Sequence, residues 1–222
     1  MFTGSLPKAP PGECEYGGVV TLLLIHGGLW DDMTAERFWH EPGIVRRLEG
    51  SGFHVLVPDR ERRATDWGVE VDHLVQALPD HSVTVVAGSN GCSVAVRLAL
   101  ALPDRVSRLL LAWPATAGDP LVDSRDSSRL VDLGASPDTV SALLAGETLR
   151  GATRDELATV TMSVGVLPAV PPNLVHQRRT VDELLHLLPS AEELPGSPEP
   201  PTPDFAGWAG LFVDSLERFA ET

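Results

Sequence analysis

The chain alternates short continuous apolar runs with longer stretches whose apolar residues recur every three or four positions. Residues 19–25 read VVTLLLI and end at His26-Gly27-Gly28. A run with no polar face suits a strand buried on both sides, as a parallel sheet between helical layers requires. The same signal returns at 53–57, 82–87, 106–112 and 159–167, with a short strand expected at 192–194. Between these runs the helical period appears at 35–49, where Pro42-Gly43 breaks the start of any single helix, and at 69–78 through Val71, Leu74, Val75 and Leu78. Residues 92–102 predict a helix stopped by Pro103, residues 180–188 another, and residues 205–220 a closing amphipathic helix after a proline-rich loop. Residues 116–155 are polar and helix-prone, without strong strand signals.

About six strands alternating with helices predict an α/β fold, a mostly parallel sheet with helices on both faces. Residues 19–222 read as a single domain preceded by an N-terminal extension, 1–18, and residues 116–155 suit a small cap-like excursion. In such sheets ligands sit beyond the carboxyl ends of the strands, so the strand-exit loops are where chemistry is expected.

The most informative of these exits follows the third strand, in VTVVAGSNGCS. Ala87-Gly88-Ser89-Asn90-Gly91 matches G-x-S-x-G with Ala leading, and it stands between a buried strand and an apolar helix. That context makes it a nucleophile elbow: small flanking residues permit the sharp turn, and the helix N-terminus favours negative charge developing there. The alternative frame, Gly88 to Cys92, keeps the leading Gly but would put Asn90 at the tip. Cys92 falls in the first turn of that helix, where a cysteine is expected to pack rather than react.

The segments LLLIHGG, VLVPDR, VTVVAGSNGCSVAVRLALALPDRV and RLLLAWPA resemble the α/β-hydrolase superfamily, and the likeness runs from about residue 19 to the C-terminus. The resemblance favours the frame centred on Ser89, because the helix and LPDRV align without gaps only in that frame. It implies a trimmed version of that fold, since only eighteen residues precede Val19. It also implies an oxyanion hole formed by the backbone N–H of Gly28, or of Leu29, with that of Asn90. In the family an acid follows a late strand and a histidine follows the last one. Here VLPAVPPNLVHQRR aligns Asn173 with the acid, and ELPGSPEPP brings Glu199 near the histidine position; no histidine occurs after His186. The usual triad is therefore expected to be degenerate, with Ser89, Glu199 and Asn173 as its catalytic candidates.

Among the other candidates, His26 is expected to brace the oxyanion loop and to face the pocket only secondarily. His176, just beyond Asn173, is the next candidate base, though a solvent-facing or loop-bracing role is favoured for it. His40 falls on the expected pocket rim, and Asp119 is a candidate relocated acid. Glu199 would serve as a base if burial raised its pKa. Trp30, Trp39 and Trp113 fall near strand exits, where they would line an apolar pocket or pack in the core.

Composition narrows the class. A net charge of -14 over 222 residues disfavours nucleic acid and anionic membrane as partners. Two cysteines, no paired metal-ligand spacing and no leader-like apolar segment suggest a cytoplasmic protein without cofactor or metal. The oligomeric state stays open. Two functions fit: a serine-dependent hydrolase of a small ester, thioester or lactone with a noncanonical or missing general base, or a catalytically inactive protein keeping the fold as a ligand-binding or interaction module. Proton-transfer or lyase chemistry using Glu199 is a third option.

Overall fold

The computed structural model describes residues 19–221. The expected extension, residues 1–18, lies outside them. Six strands form one sheet in the order β2-β1-β3-β4-β5-β6, and every pairing is parallel. They are β1 (Thr21–Ile25), β2 (His54–Leu56), β3 (Val83–Gly88), β4 (Val106–Ala112), β5 (Ser163–Leu167) and β6 (Ala191–Glu193). The expected fifth strand is shortened at its start, because Leu157 to Val160 close a helical turn through backbone bonds before the sheet is reached.

The helices are α1 (Ile44–Gly50), α2 (Trp67–Val75), α3 (Gly91–Ala101), α4 (Pro120–Asp132), α5 (Pro137–Leu144), α6 (Arg154–Leu157), α7 (Arg178–Leu187) and α8 (Ala209–Glu221). The expected 35–49 helix is instead a wide turn at Glu36–His40 followed by α1, with Gly43 at φ 78° between them. The closing helix is also split: a short turn, Pro203–Gly207, precedes α8. The inserted stretch between β4 and β5 contains α4, α5 and α6. No helix among the described residues is long and apolar enough to cross a membrane.

Side chains alternate between the two faces of the sheet, as strand geometry requires. Leu23, Ile25, Val85, Ala87, Leu109, Leu111, Val164 and Val166 pack with α2, α3 and α7. Leu22, Leu24, Val86, Leu110, Ala112 and Leu167 pack with α1 and α8 on the other face. Because both faces are covered, neither leaves a polar side, and this is what made the strands continuous apolar runs.

The register sets Ile25 beside Ala87, Gly88 beside Ala112, and Ala112 beside Leu167, so the exits of β1, β3, β4 and β5 open side by side. The strand order reverses between β1 and β3, where an open α/β sheet forms its crevice. A buried ion pair fixes the β1 exit. Arg60, on the loop after β2, makes a bidentate contact with Glu70 of α2 at 2.6 Å for both bonds. Its Nη1 also donates to the carbonyls of His26, Gly27 and Gly28 at 3.1, 3.2 and 2.8 Å.

Both partners of this pair are buried, and removing one would strand the other's charge. Arg60→Met is expected to cost about 3–5 kcal/mol. Arg60→Met with Glu70→Leu should recover part of that loss, with a residual deficit of roughly 1–3 kcal/mol from the loop carbonyls left unpaired. Denaturant unfolding of the single and double variants checks both values; full recovery in the double variant would show that the carbonyl bonds contribute nothing.

Candidate active site

Ser89 sits at the tip of the turn between β3 and α3 with φ 53°, the left-handed region a non-glycine residue rarely adopts. The turn is held by Ser89 N–H donating to Ala112 O at 3.0 Å and Cys92 N–H donating to Ser89 O at 3.0 Å. Close packing leaves no room around it: a Cβ on Gly91 would stand 2.6 Å from His26 O, and one on Gly27 3.0 Å from Ser89 Cβ. Cys92 is fully buried, and desolvation pushes its thiol pKa up, so it packs and does not react.

The decisive contact comes from His176. Its Nε2 lies 2.9 Å from Ser89 Oγ, and both residues are buried. The sequence favoured a solvent-facing or loop-bracing role for this histidine; the fold of the loop after β5 overturns that. Asn173 Oδ1 accepts the N–H groups of Val175 and His176 at 2.9 and 3.0 Å, curling the loop back. Thr116, at the β4 exit, then pins it by donating its N–H to Val175 O at 2.7 Å and accepting Gln177 N–H at 3.0 Å. The ring is thereby turned inward to the elbow.

Glu199, on the loop after β6, places Oε2 3.1 Å from the same His176 Nε2. This oxygen makes no hydrogen bond among the described residues, so it sits beside the ring nitrogen but off its donor direction, which points to Ser89. Burial raises the Glu199 carboxyl to about 7. Burial, and then the charge of Arg125, lowers His176 to about 4. The histidine is thus neutral near pH 7, while the carboxyl titrates there. The histidine and the carboxylate come from the loops after β5 and β6, the reverse of the order that the family resemblance implied.

Asn173 occupies the other side of the ring, with Nδ2 3.4 Å from His176 Nδ1. Its amide cannot be flipped without losing the two backbone bonds to Oδ1, so it presents a donor to Nδ1. A donor there favours the tautomer with the proton on Nε2, which donates to Ser89 Oγ. A base needs the opposite tautomer.

The remaining candidates divide between pocket and scaffold. Gly28 and Asn90 border the cavity of about 190 Å³ above Ser89, together with Asn173, His176 and Glu199. Asn90 N–H precedes the first bond of the α3 turn, so the helix does not consume it. Leu29 N–H is directed to Asp31 Oδ2 at 3.4 Å, which leaves Gly28 as the better oxyanion partner for Asn90. His26 is a brace: Nδ1 donates to Gly27 O at 2.8 Å and Nε2 accepts Arg60 N–H at 3.1 Å. Burial and Arg60 lower its pKa, keeping it neutral.

Trp113 does not line the pocket. It is fully buried beneath the elbow, stacked on Phe212 at 5.1 Å, and its Nε1 donates to Ser197 O at 2.9 Å, steadying the loop that carries Glu199. Trp39 is equally buried in the same aromatic cluster. Trp30 stands apart, on the wall of a neighbouring cavity. Asp119 caps α4 by accepting from Leu121 and Val122 N–H, and it holds Gln177 Nε2 at 3.1 Å. His40 is exposed and does not border the Ser89 cavity.

One residue that sequence reasoning missed is Arg150. Wholly buried, it donates to Asn90 Oδ1 at 3.1 Å and to Asp126 Oδ2 of α4 at 2.8 Å. Nothing in the sequence set it apart from Arg125, Arg129 and Arg154 in the same polar stretch. Among the described residues no group of three or more His, Cys, Asp or Glu could hold a metal ion.

No protein-family model and no curated protein matches the chain. Its structure is similar to that of Rv0554 from Mycobacterium tuberculosis, with TM-score 0.68 and 14% identity over 91% of this chain and 90% of that one. It is also similar to the meta-cleavage product hydrolase CumD of Pseudomonas fluorescens IP01 (0.64, 16%, 91% and 92%). A third similar structure is the esterase RhEst1 of Rhodococcus sp. ECU1013 (0.64, 14%, 92% and 91%).

Asn173→Asp would keep an oxygen for the two backbone N–H groups and offer the second to Nδ1–H. In serine triads the reverse exchange, carboxylate to amide, costs about 10⁴ in rate. The rate of Ser89 labelling by a fluorophosphonate at pH 8 is therefore expected to rise at least about tenfold in this variant. An unchanged or slower rate would show that Asn173 does not set the tautomer.

Proposed function

This chain has the α/β-hydrolase fold, and within it we propose that Ser89 and His176 hydrolyse a small ester, thioester or lactone through an acyl-enzyme. The observation that carries the reading is the 2.9 Å contact between Ser89 Oγ and His176 Nε2, brought together from the exits of β3 and β5 on either side of β4. A serine hydroxyl becomes a useful nucleophile only when a neighbouring base takes its proton.

In the reactive tautomer His176 carries its proton on Nδ1. Nε2 accepts the Ser89 proton as Oγ bonds to the substrate carbonyl carbon. The carbonyl oxygen becomes an oxyanion facing the N–H groups of Gly28 and Asn90, and preorganised donors of this kind contribute several kcal/mol. When the tetrahedral species collapses, the bond to the leaving oxygen or sulfur breaks and the leaving group takes the proton from Nε2. Water then repeats the sequence: Nε2 removes its proton, its oxygen attacks the acyl carbon, and Ser89 departs with the proton returned.

Each half-reaction passes through an imidazolium whose Nε2 lies 3.1 Å from Glu199 Oε2. An ionised Glu199 stabilises that cation; a protonated one does not. The carboxylate thus takes the electrostatic part of a triad acid, applied at the nitrogen that faces the serine. The Asn173 donor works against the reactive tautomer, and the unmodified site is expected to turn over slowly. That same donor is what favours a second reading, a ligand-binding protein that does not catalyse.

Ser89→Ala and His176→Ala are both expected to abolish fluorophosphonate labelling and ester turnover. Labelling absent from the unmodified protein from pH 5.5 to 9, with ligands still raising its Tm, would support the binding reading instead.

The acylation rate should depend on pH through Glu199. His176, lowered to about 4, stays neutral across the range. Glu199 ionises at about 7, so the rate rises as pH increases through 7 and is level above it. In Glu199→Gln the rise should vanish, with the rate at pH 8 about tenfold or more lower. A rising limb that persists in this variant would assign the titration to another group.

A further inference from the structure

A second cavity, of about 530 Å³, opens beside the Ser89 pocket, and Asp31 and Arg129 border both. Its walls come from the loop after β1 (Trp30, Asp31, Asp32), the loop after β2 (Arg62, Arg63) and α4 (Arg129). Its size lies in the range of small-molecule sites, whereas the chamber over Ser89, about 190 Å³, suits a short acyl group.

Two features mark this cavity as a binding site. Four non-glycine residues among those described have positive φ, and two of them, Trp30 and Arg63, both at 57°, face each other across it. Such strain persists only where surrounding contacts enforce it, and it concentrates at ligand clamps. Here the Trp30 Nε1 donates to Ala64 O at 2.8 Å, and the Arg63 guanidinium lies over the Trp30 ring at 5.9 Å. The second feature is charge. In a chain of net charge -14, three guanidinium groups converge on one cavity.

Asp31 and Asp32 line the cavity as well, so the three guanidinium groups leave it one net positive charge, with Arg63 outside either ion pair. Asp31 is committed to Arg129, at 3.3 Å, and to the N–H of Met33. Asp32 meets Arg62 at 3.4 Å, but both side chains are largely exposed, and a pair of that kind is readily exchanged for a better acceptor. Planar guanidinium groups match phosphate oxygens, and an aromatic face beside them accepts a flat ring.

We propose that this cavity receives the leaving group, and that the leaving group carries a phosphate and a planar base, as in the acyl thioester of a nucleotide-bearing thiol. The proposal rests on acyl transfer at Ser89. The acyl end would occupy the smaller chamber, and the thiol arm would pass Asp31 and Arg129 to the ring of Trp30. Hydrolysis is balanced as above: the C–S bond breaks and the thiolate takes the Nε2 proton.

The test compares two thioesters with the same acyl group, butyryl-coenzyme A and butyryl-N-acetylcysteamine, which lacks base and phosphates. The coenzyme A thioester is expected to show a kcat/KM at least about tenfold higher, mostly through KM. In Arg62→Gln/Arg63→Asn, where Asn tolerates the left-handed backbone, that ratio should fall to within about twofold. Added salt, at about 0.5 M, should shrink it in the unmodified protein. ADP should compete with the coenzyme A thioester, and benzoate, an aromatic carboxylate, should not.

Equal turnover of the two thioesters, or competition by benzoate as strong as that by ADP, would overturn the proposal while leaving Ser89 hydrolysis intact. No turnover of either, with ADP raising the Tm of the unmodified protein and not of the double variant, would retain the cavity's ligand and remove the hydrolytic reading. Neither turnover nor an ADP effect would remove both.

Discussion

The whole site depends on holding one serine in a left-handed backbone. A Ser89 with relaxed φ would turn its hydroxyl away from the crevice, so the surrounding chain is built to forbid relaxation. Gly27 and Gly91 bring the β1 exit and the first turn of α3 into contact with it, and the Ala112 carbonyl fixes its N–H from the next strand. Parallel strands with aligned ends make this possible, because only their register delivers three exits to one place. The cost of the strained residue is carried by the most buried part of the molecule, beneath which Trp113, Phe212 and Phe38 form an aromatic floor.

Around that fixed point the polar groups are arranged in two shells of different character. The Arg60–Glu70 pair holds the loop after β1 from behind, through the carbonyls of His26, Gly27 and Gly28. The histidine and the carboxylate arrive from the front on neighbouring loops. Because β5 and β6 are adjacent, either exit can reach the elbow, and exchanging the roles of their residues preserves a Ser–His contact of hydrogen-bond length. What changes is the nitrogen that the carboxylate meets, and with it the division of labour between charge stabilisation and tautomer control.

Much of the fold was legible because strands buried on both faces have no polar period to disguise them; the central strands lie within a residue or two of their apolar runs. The failures have physical causes. Residues 159–162 carry strand-like composition but are captured by the turn that ends α6, and the closing helix breaks near Trp208. Ser89 was legible because small residues, a strand and a helix all mark an elbow locally. His176 was not, because its position depends on an asparagine side chain curling a loop and on Thr116, sixty residues away, pinning it. The Asn-x-x-His spacing was the available signal, and a side chain accepting from the two backbone N–H groups at i+2 and i+3 is the reason it carries meaning. Trp113 illustrates the converse: proximity to a strand exit does not distinguish a pocket wall from the floor under it.

Arg150 gives the segment between β4 and β5 a particular mechanical character. Its guanidinium is sealed from solvent and joins Asn90, the residue after Ser89, to Asp126 in the middle of α4. Swinging α4 outward would separate buried opposite charges and pull on the residue next to Ser89. α4 is thereby strapped to the turn that carries Ser89, and any displacement of that helix would be felt at the turn itself.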